Sequence, residues 1–180
     1  FYQAPIISRS TPNPMSQHAT TFIKNRKLQV QKIKSHPAYA YKFIREDMQD
    51  YMMDKLQVLI EGEFIRGTFQ SGTEYTIVST ALNLDKQLLR IIQKFDFTKT
   101  IPKLILVNTG EQIYSLEDSI LVAYLNLLGF DIAMFVPTGY QVMEQHFAKP
   151  FFVEQQVGEY IYDLRAPELN QSNDGKKNFM

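Results

Sequence analysis

Apolar runs and turn residues alternate in the second half of the chain in the order expected of a βαβ unit. Residues 103–107 and residues 131–136 are short apolar runs, each followed by a turn that contains Thr and Gly. Between them, residues 116–128 place apolar side chains at helical spacing until Gly129. The two strands of such a unit run parallel and end at the same edge of a sheet. We expect the helix to pack on one face of that sheet and to bury Leu121, Leu125 and Leu128.

Two earlier stretches are predicted to be long helices. Apolar residues recur at helical spacing over residues 38–61, and Gly62 fits the end of that helix. Residues 74–94 keep the same spacing for several turns, although the β-branched residues within 75–80 leave a strand as the alternative. The length of the pattern favours a helix with a kink near Asn83.

The pattern weakens after the βαβ unit. Apolar positions over residues 142–147 predict a short helix that ends before Pro150. Residues 151–153 and residues 160–162 each fit a strand, and the alternation with charges around the second favours a strand or an extended edge there.

These elements predict one α/β domain between two polar segments. Residues 38–164 would form a small, at least partly parallel, Rossmann-like sheet with flanking long helices. Residues 1–37, which contain several Pro residues, are predicted to be an extended basic arm or linker. Residues 165–180 are predicted to be a polar tail.

Charge is unevenly distributed although the formal net charge is zero. Eight of the 19 basic residues precede Glu46, and none of the 19 acidic residues does. Such a segment can bind nucleic acid or another anion, or it can dock on an acidic surface of its own protein. Because the rest of the chain carries an excess of acid, we expect residues 22–45 to be ordered against it. Nucleic acid is therefore the disfavoured partner.

Composition excludes several kinds of site. The absence of Cys excludes a disulfide framework, a thiolate metal site and a thiol nucleophile. The three His residues are widely separated in the sequence, which disfavours a metal site. No apolar run approaches the roughly 18 residues that a membrane span needs. The start at Phe1 has neither a Met nor the features of a signal peptide, so we expect the chain to be a portion of a longer protein.

The two turns at the predicted sheet edge form the candidate ligand site. Ligands of open parallel sheets bind beyond the carboxyl ends of the strands, so we expect both turns to line one concave patch. Neither turn matches the GxGxxG or P-loop pattern, and the signal therefore comes from position and leaves the reaction and the cofactor unspecified. The candidate ligand-binding residues are Asn108, Thr109, Gly110, Ser115, Thr138, Gly139 and Tyr140.

Both turns also have a purely structural interpretation. Ser115 and Asp118 fit a capping box, which would stabilise the helix start and leave little room for an anion. In the functional interpretation, the amino end of that helix would instead hold an anionic group. Residues 137–139 fit a simple turn, or else Thr138 and the open backbone of Gly139 contact a ligand on which Tyr140 stacks.

Several segments resemble the bacterial YceG-like family. The resemblance covers residues 95–164 best and the helical part less, and it implies that the chain is a carboxyl-terminal portion of a longer protein. It also implies a cytoplasmic component of a biosynthetic module, encoded beside tellurium-resistance and stress-response genes, with no catalytic residues to carry over. The segments are Phe95–Thr98, Pro102–Val107, Ser115–Ser119, Leu128–Ile132, Phe135–Tyr140 and Gln156–Glu159.

The function that we predict from the sequence is that of a ligand-binding half of a larger protein, with the rest of that protein as its first partner. The ligand would be a small phosphate-containing molecule, such as a nucleotide or a nucleotide-sugar. A non-enzymatic interaction or scaffold domain that docks a partner protein is the alternative. A third hypothesis, nucleic-acid binding through the basic arm, would show a steep dependence on salt.

Overall fold

The computed structural model describes residues 13–96, 99–109, 114–139 and 143–164, and they form a mixed α/β structure. Short 3-10 helices lie at Ser16–Thr21, Ala40–Phe43 and Met143–His146. The strands are β1 (Ile23–Lys24), β2 (Lys27–Leu28), β3 (Lys103–Val107) and β4 (Asp131–Phe135). The α-helices are α1 (Val30–Ser35), α2 (Glu46–Glu61), α3 (Thr73–Ala81), α4 (Lys86–Lys94) and α5 (Leu116–Leu127).

The predicted βαβ unit is confirmed. β3 and β4 pair in parallel, with Lys103 opposite Asp131 and Val107 opposite Phe135, and α5 connects them. Within the described residues no further strand joins this sheet, so the Rossmann-like extension of it that we predicted is not seen there. Two strands are fewer than an independently stable sheet needs, and the sheet therefore depends on the helices packed against it.

The hydrophobic core surrounds α5. Every residue from Ser119 to Leu125 is buried, and α5 contacts α2, α3 and β4. The hydroxyl of the fully buried Tyr124 donates a hydrogen bond to the Met52 carbonyl at 3.0 Å. Leu121, Leu125 and Leu128 are buried as predicted. This helix therefore ties the sheet to the helical layer.

The helix predicted over residues 38–61 begins only at Glu46. Residues 40–43 form a 3-10 helix, and Ile44 is extended with ψ 148°. The buried amide of Gln49 accounts for the break, because it accepts from the Tyr39 hydroxyl at 3.0 Å and donates to the Ile44 carbonyl at 2.7 Å. The Gln49 side chain thus satisfies the Ile44 carbonyl, which a continuous helix would have paired within itself.

The helix predicted over residues 74–94 is two helices, α3 and α4, which are separated where we expected a kink. The Tyr41 hydroxyl lies at the break, where it donates to the Ala81 carbonyl at 2.6 Å and accepts from the Leu84 N–H at 3.0 Å. Asp85 then caps α4 by accepting from the Gln87 N–H at 2.7 Å. Residues 75–80 are helical, so the strand alternative was wrong.

The extended arm predicted for residues 1–37 is not found in its described part, residues 13–37. β1 and β2 form an antiparallel hairpin there, followed by α1. Phe22 and Ile33 are fully buried in the same core as α5. The burial of these apolar side chains holds the segment against the rest of the protein. The Pro residues and the basic charge of the segment had instead suggested an extended arm. Residues 1–12 and the predicted tail at residues 165–180 lie outside the described residues.

Three basic side chains of this segment contact acidic residues of α2 and of the loop that follows it. Such exposed pairs contribute about 0–1 kcal/mol each, so apolar burial contributes more to holding the segment in place. The order expected for residues 22–45 is therefore present. The pairs are Arg26 with Glu63, Lys27 with Glu61, and Lys34 with Asp50.

The structure brings His18 and His36 together, although they are distant in sequence. Their ring centroids lie 4.2 Å apart. Burial, the His18 ring and Lys42 lower the pKa of His36 from its ordinary value. Nδ1 of His36 accepts a hydrogen bond from the Ala38 N–H at 3.2 Å, and a ring nitrogen accepts only in its neutral form. The folded chain therefore favours neutral His36.

Replacing His36 by Gln should reduce the loss of stability in mild acid. Because the folded pKa is depressed, the stabilisation is complete above the unfolded pKa of about 6.5 and is lost as the pH falls through the folded pKa. The melting temperature at about pH 7.5 and about pH 5 should differ less for His36→Gln than for the natural chain. An exposed control that contacts no histidine, Gln155→Ala, should keep the natural difference. An unchanged difference in His36→Gln would rule out this contribution.

The weak elements predicted near the carboxyl end are found only in part. A 3-10 helix at Met143–His146 replaces the predicted short helix. Residues 151–153 and 160–162 form no strand, but the Ile161 N–H donates to the Pro137 carbonyl at 2.9 Å. This bond connects Ile161 to the loop after β4, but it does not make residues 160–162 a strand of the sheet.

Candidate functional site

The carboxyl edge of the two-stranded sheet carries both predicted turns. Asn108 and Thr109 follow β3, and Thr138 and Gly139 follow β4. Because the strands are parallel and in register, these residues lie at one edge. The Asn108 N–H donates to the Phe135 carbonyl at 2.9 Å and so continues the pairing into the first turn. The structure therefore brings the described members of the predicted site to a common edge.

The start of α5 lies at this edge and is closed by its own side chains. The Ser115 hydroxyl accepts from the Asp118 N–H at 3.1 Å, and the Asp118 carboxylate accepts from the Ser115 N–H at 2.8 Å. This reciprocal pair is the capping box of the structural interpretation. The Asp118 carboxylate already occupies the position where an anion would lie, so Ser115 is here a helix cap.

The second turn is built on Gly139. Its N–H donates to the Val136 carbonyl at 2.9 Å. Its φ is +71°, a backbone angle that residues with a side chain rarely adopt. The preceding Thr138 is buried, with 3% of its surface exposed. Thr138 is thus packed at the base of the turn, and the backbone of Gly139 is its exposed part.

An aromatic ring covers Gly139. A Cβ atom at this position would lie 2.4 Å from the Tyr160 ring, so only glycine permits the contact. Phe151 and Phe152 pack on Phe147 and hold the start of the segment that contains Tyr160. The close approach that the sequence suggested for a ligand is made here by Tyr160. The alternating pattern at residues 160–162 was a sequence signal for an edge contact.

Tyr114, which the sequence analysis did not single out, adds a polar group beside the start of α5. Burial and the Asp118 carboxylate raise its pKa, so its phenol stays protonated at neutral pH. A neutral phenol can donate to a phosphate or sugar oxygen. No sequence motif marks this Tyr, and its position follows only from the fold. Gly110 and Tyr140, the two remaining candidates, lie outside the described residues.

An open cavity of about 360 Å³ lies away from the predicted residues, along the loop that follows α2. The polar groups of this loop hold its own shape: Nε of Arg66 donates to the Phe147 carbonyl at 2.6 Å, and the buried Glu74 carboxylate accepts from the Phe69 N–H at 2.8 Å. We therefore attribute these groups to loop architecture. The lining residues are Glu63, Ile65, Arg66, Gly67, Thr68, Gln70 and Ala148.

Two further properties concern metals and membranes. Among the described residues, no three His, Asp or Glu side chains are grouped closely enough to hold a metal ion. Over the same ranges, no helix combines the length and the apolar content that crossing a bilayer requires.

Comparison with known proteins gives a family but no described activity. A family model described as the YceG domain matches residues 2–173. A Bacillus subtilis (strain 168) protein named "Uncharacterized protein YceG" is 33% identical over 91 residues. That match covers 48% of this chain and 17% of the relative, so it spans less than a fifth of the relative's length. No solved structure matches the chain significantly.

Proposed function

This chain belongs to the YceG domain family, and we propose that it is the ligand-binding part of a larger cytoplasmic protein in a biosynthetic and stress-response module. The observation that carries the proposal is the parallel pairing of β3 with β4, which places two turns and the start of α5 at one edge. That edge is where ligands of parallel sheets bind. The rest of the longer protein would complete the site across a cleft.

The groups at this edge favour a nucleotide or a nucleotide-sugar as the ligand. The backbone at Gly139 can approach a phosphate closely, and Asn108 and Thr109 add amide and hydroxyl groups. The Tyr160 ring, half exposed over Gly139, offers a face on which a base or sugar can stack once the ring moves aside. Asp118 excludes phosphate from the first turn of α5, so the phosphate would lie nearer to Gly139.

Calorimetric titration of the full-length protein with ATP and with UDP-glucose tests the site. We expect Thr138→Val to weaken the binding of the active probe at least about tenfold, or about 1.4 kcal/mol. Val keeps the shape of Thr and removes its hydroxyl. Because Thr138 is buried and buried hydroxyls are normally hydrogen-bonded, we expect the melting temperature to fall as well. Gly139→Val should also abolish binding, but it additionally strains φ and displaces Tyr160, so it should lower the melting temperature as well.

Gly158→Val is the matched control, because a Cβ atom there meets nothing within 4 Å. It should bind the probe as the natural protein does. If neither probe binds, or if Thr138→Val and Gly158→Val bind equally well, the edge is structural and the proposal fails.

The interaction-domain alternative has an observation of its own. The segment that follows Phe152 exposes apolar side chains with little packing: Val153 is 89% exposed and Val157 is 93% exposed. Apolar residues displayed in this way suit a protein partner. Nucleic-acid binding gains less support, because Arg26, Lys27 and Lys34 already contact carboxylates.

A further inference from the structure

The outer face of the β3–β4 sheet is apolar and bare. Side chains alternate along both strands, and those directed inward pack against the core that contains α5. The opposite face begins with the Lys103–Asp131 ion pair and continues with apolar residues. Between 50% and 57% of the surface of each apolar residue is exposed at Ile105, Val107 and Phe135 of the strands and at Ile101, just before β3.

Such a face is unusual for parallel strands. Parallel sheets occur almost exclusively with both faces covered by helices, and their strands are accordingly apolar on both sides. Here α5 lies on the inner side only, and no described element lies on the outer side. The Ile and Phe residues of the outer face therefore have the composition of a buried surface.

We propose that an amphipathic α-helix from the remainder of the same polypeptide packs on this outer face. Two strands about 4.8 Å apart make a strip that one helix of about 10 Å diameter covers when it lies along them. A longer polypeptide could contain such a helix, because the match to this chain covers only 17% of the relative's length. The inference shares with the proposed function only the longer polypeptide, because the face extends along the strands and only its last residues, Val107 and Phe135, adjoin the ligand edge.

A second copy of the chain is the less suitable occupant. Four half-exposed side chains offer a few hundred Å² at most, whereas a stable interface between separate proteins needs about 800 Å² from each partner. A segment of the same polypeptide docks with far less loss of translational freedom, so a small patch suffices. The small area thus favours an intramolecular occupant.

Thiol labelling of the full-length protein tests the proposal. These 180 residues contain no Cys, so Ile105→Cys places the one thiol of this part of the protein at the centre of the face and away from the ligand edge. Peptide mass spectrometry follows its reaction with N-ethylmaleimide. We expect it to react at least about tenfold more slowly than the thiol of Val157→Cys, whose position is almost fully exposed. Ile120→Cys, buried in α5, controls for folding and should be fully protected.

Two comparisons distinguish the outcomes. Adding Phe135→Asp to Ile105→Cys should dislodge the helix and raise the labelling rate to that of the exposed position. The Ile120→Cys thiol should stay protected in the same background.

Dilution distinguishes the two occupants. Protection that persists on hundredfold dilution supports an intramolecular helix, and protection that disappears on dilution overturns it in favour of a second copy. Rates at positions 105 and 157 within a factor of two would show a bare face and end the proposal. Ligand titration is read separately, so either proposal can fail alone.

Discussion

Replacing Leu125 by Ala should lower the free energy of unfolding by about 2–5 kcal/mol. Leu125 is 1% exposed and lies in the part of α5 where every residue is buried. Removing its three outer carbon atoms loses their transfer free energy and also leaves a cavity. α5 is held from several sides by α2, α3 and β4, so its surroundings can collapse only partly. We therefore expect a cost in the upper part of this range.

Urea denaturation followed by circular dichroism measures this effect. Leu127→Ala is the matched control, because Leu127 lies in the same helix but is only partly buried and should cost clearly less. Both changes replace Leu by Ala, which differ little in helix propensity, so their difference mainly reports burial. An equal decrease in the free energy of unfolding of both variants would contradict the central position of α5 in the core.

Replacing Tyr41 by Phe should cost about 2–4 kcal/mol, although it removes a single oxygen atom. The hydroxyl of Tyr41 bonds both to the Ala81 carbonyl and to the Leu84 N–H, and Tyr41 itself is fully buried. Phe would leave one buried acceptor and one buried donor unpaired, at about 1–3 kcal/mol each. The connection between α3 and α4 should therefore loosen first.

Tyr124→Phe provides the comparison that makes this result specific. Tyr124 is equally buried, but its hydroxyl bonds only to the Met52 carbonyl, which lies inside α2. A carbonyl inside a helix keeps its helical partner, so we expect a loss of only about 1 kcal/mol. The same urea denaturation ranks the two variants. If both variants lose the same free energy of unfolding, the two hydrogen bonds of Tyr41 across the helix break add no stability beyond that of a single bond.

The βαβ unit could be predicted from the sequence because its elements follow local rules. β3 has its predicted bounds, and β4 and α5 each end within one residue of theirs. Apolar runs, a helical period and a terminating Gly129 are signals within a few residues of each other. The parallel pairing then follows from the connection itself, since a helix of this length returns the chain to the same end of the sheet.

A kink near Asn83 was predicted, but neither the full separation of α3 from α4 nor the late start of α2 was, because side-chain contacts outside the periodic pattern accompany both breaks. Tyr41 lies some forty residues before the break that it bridges, and Gln49 reaches back to Ile44. The spacing of apolar residues along the sequence does not indicate such side-chain contacts. The folded state of residues 13–37 was missed for a related reason, as isolated apolar residues such as Phe22 gain their burial only from the rest of the core.

The position of the candidate site could be predicted from the sequence, but the side chains that pack against it could not. Parallel strands bring Thr109 and Gly139 to one edge, as the order of elements requires. The sequence also indicated a capping box at Ser115, which is formed. The contact of Tyr160 with Gly139 joins residues about twenty positions apart. The alternation at residues 160–162 indicated an edge contact, but no local rule identifies Gly139 as the partner. Ligand binding by these residues stays a prediction.

The burial of α5 on every side has a consequence for how this protein moves. Most helices shield one stripe and can fray or detach while the remainder stays folded. From Ser119 to Leu125, α5 has no such solvent-facing stripe, so separating the sheet from the helices would expose it entirely. We therefore expect the amide protons of residues 119–125 to exchange with solvent mainly when the whole domain opens. If the edge binds a ligand as proposed, we expect the accompanying rearrangement in the turns around Gly139, while the buried part of α5 keeps its place.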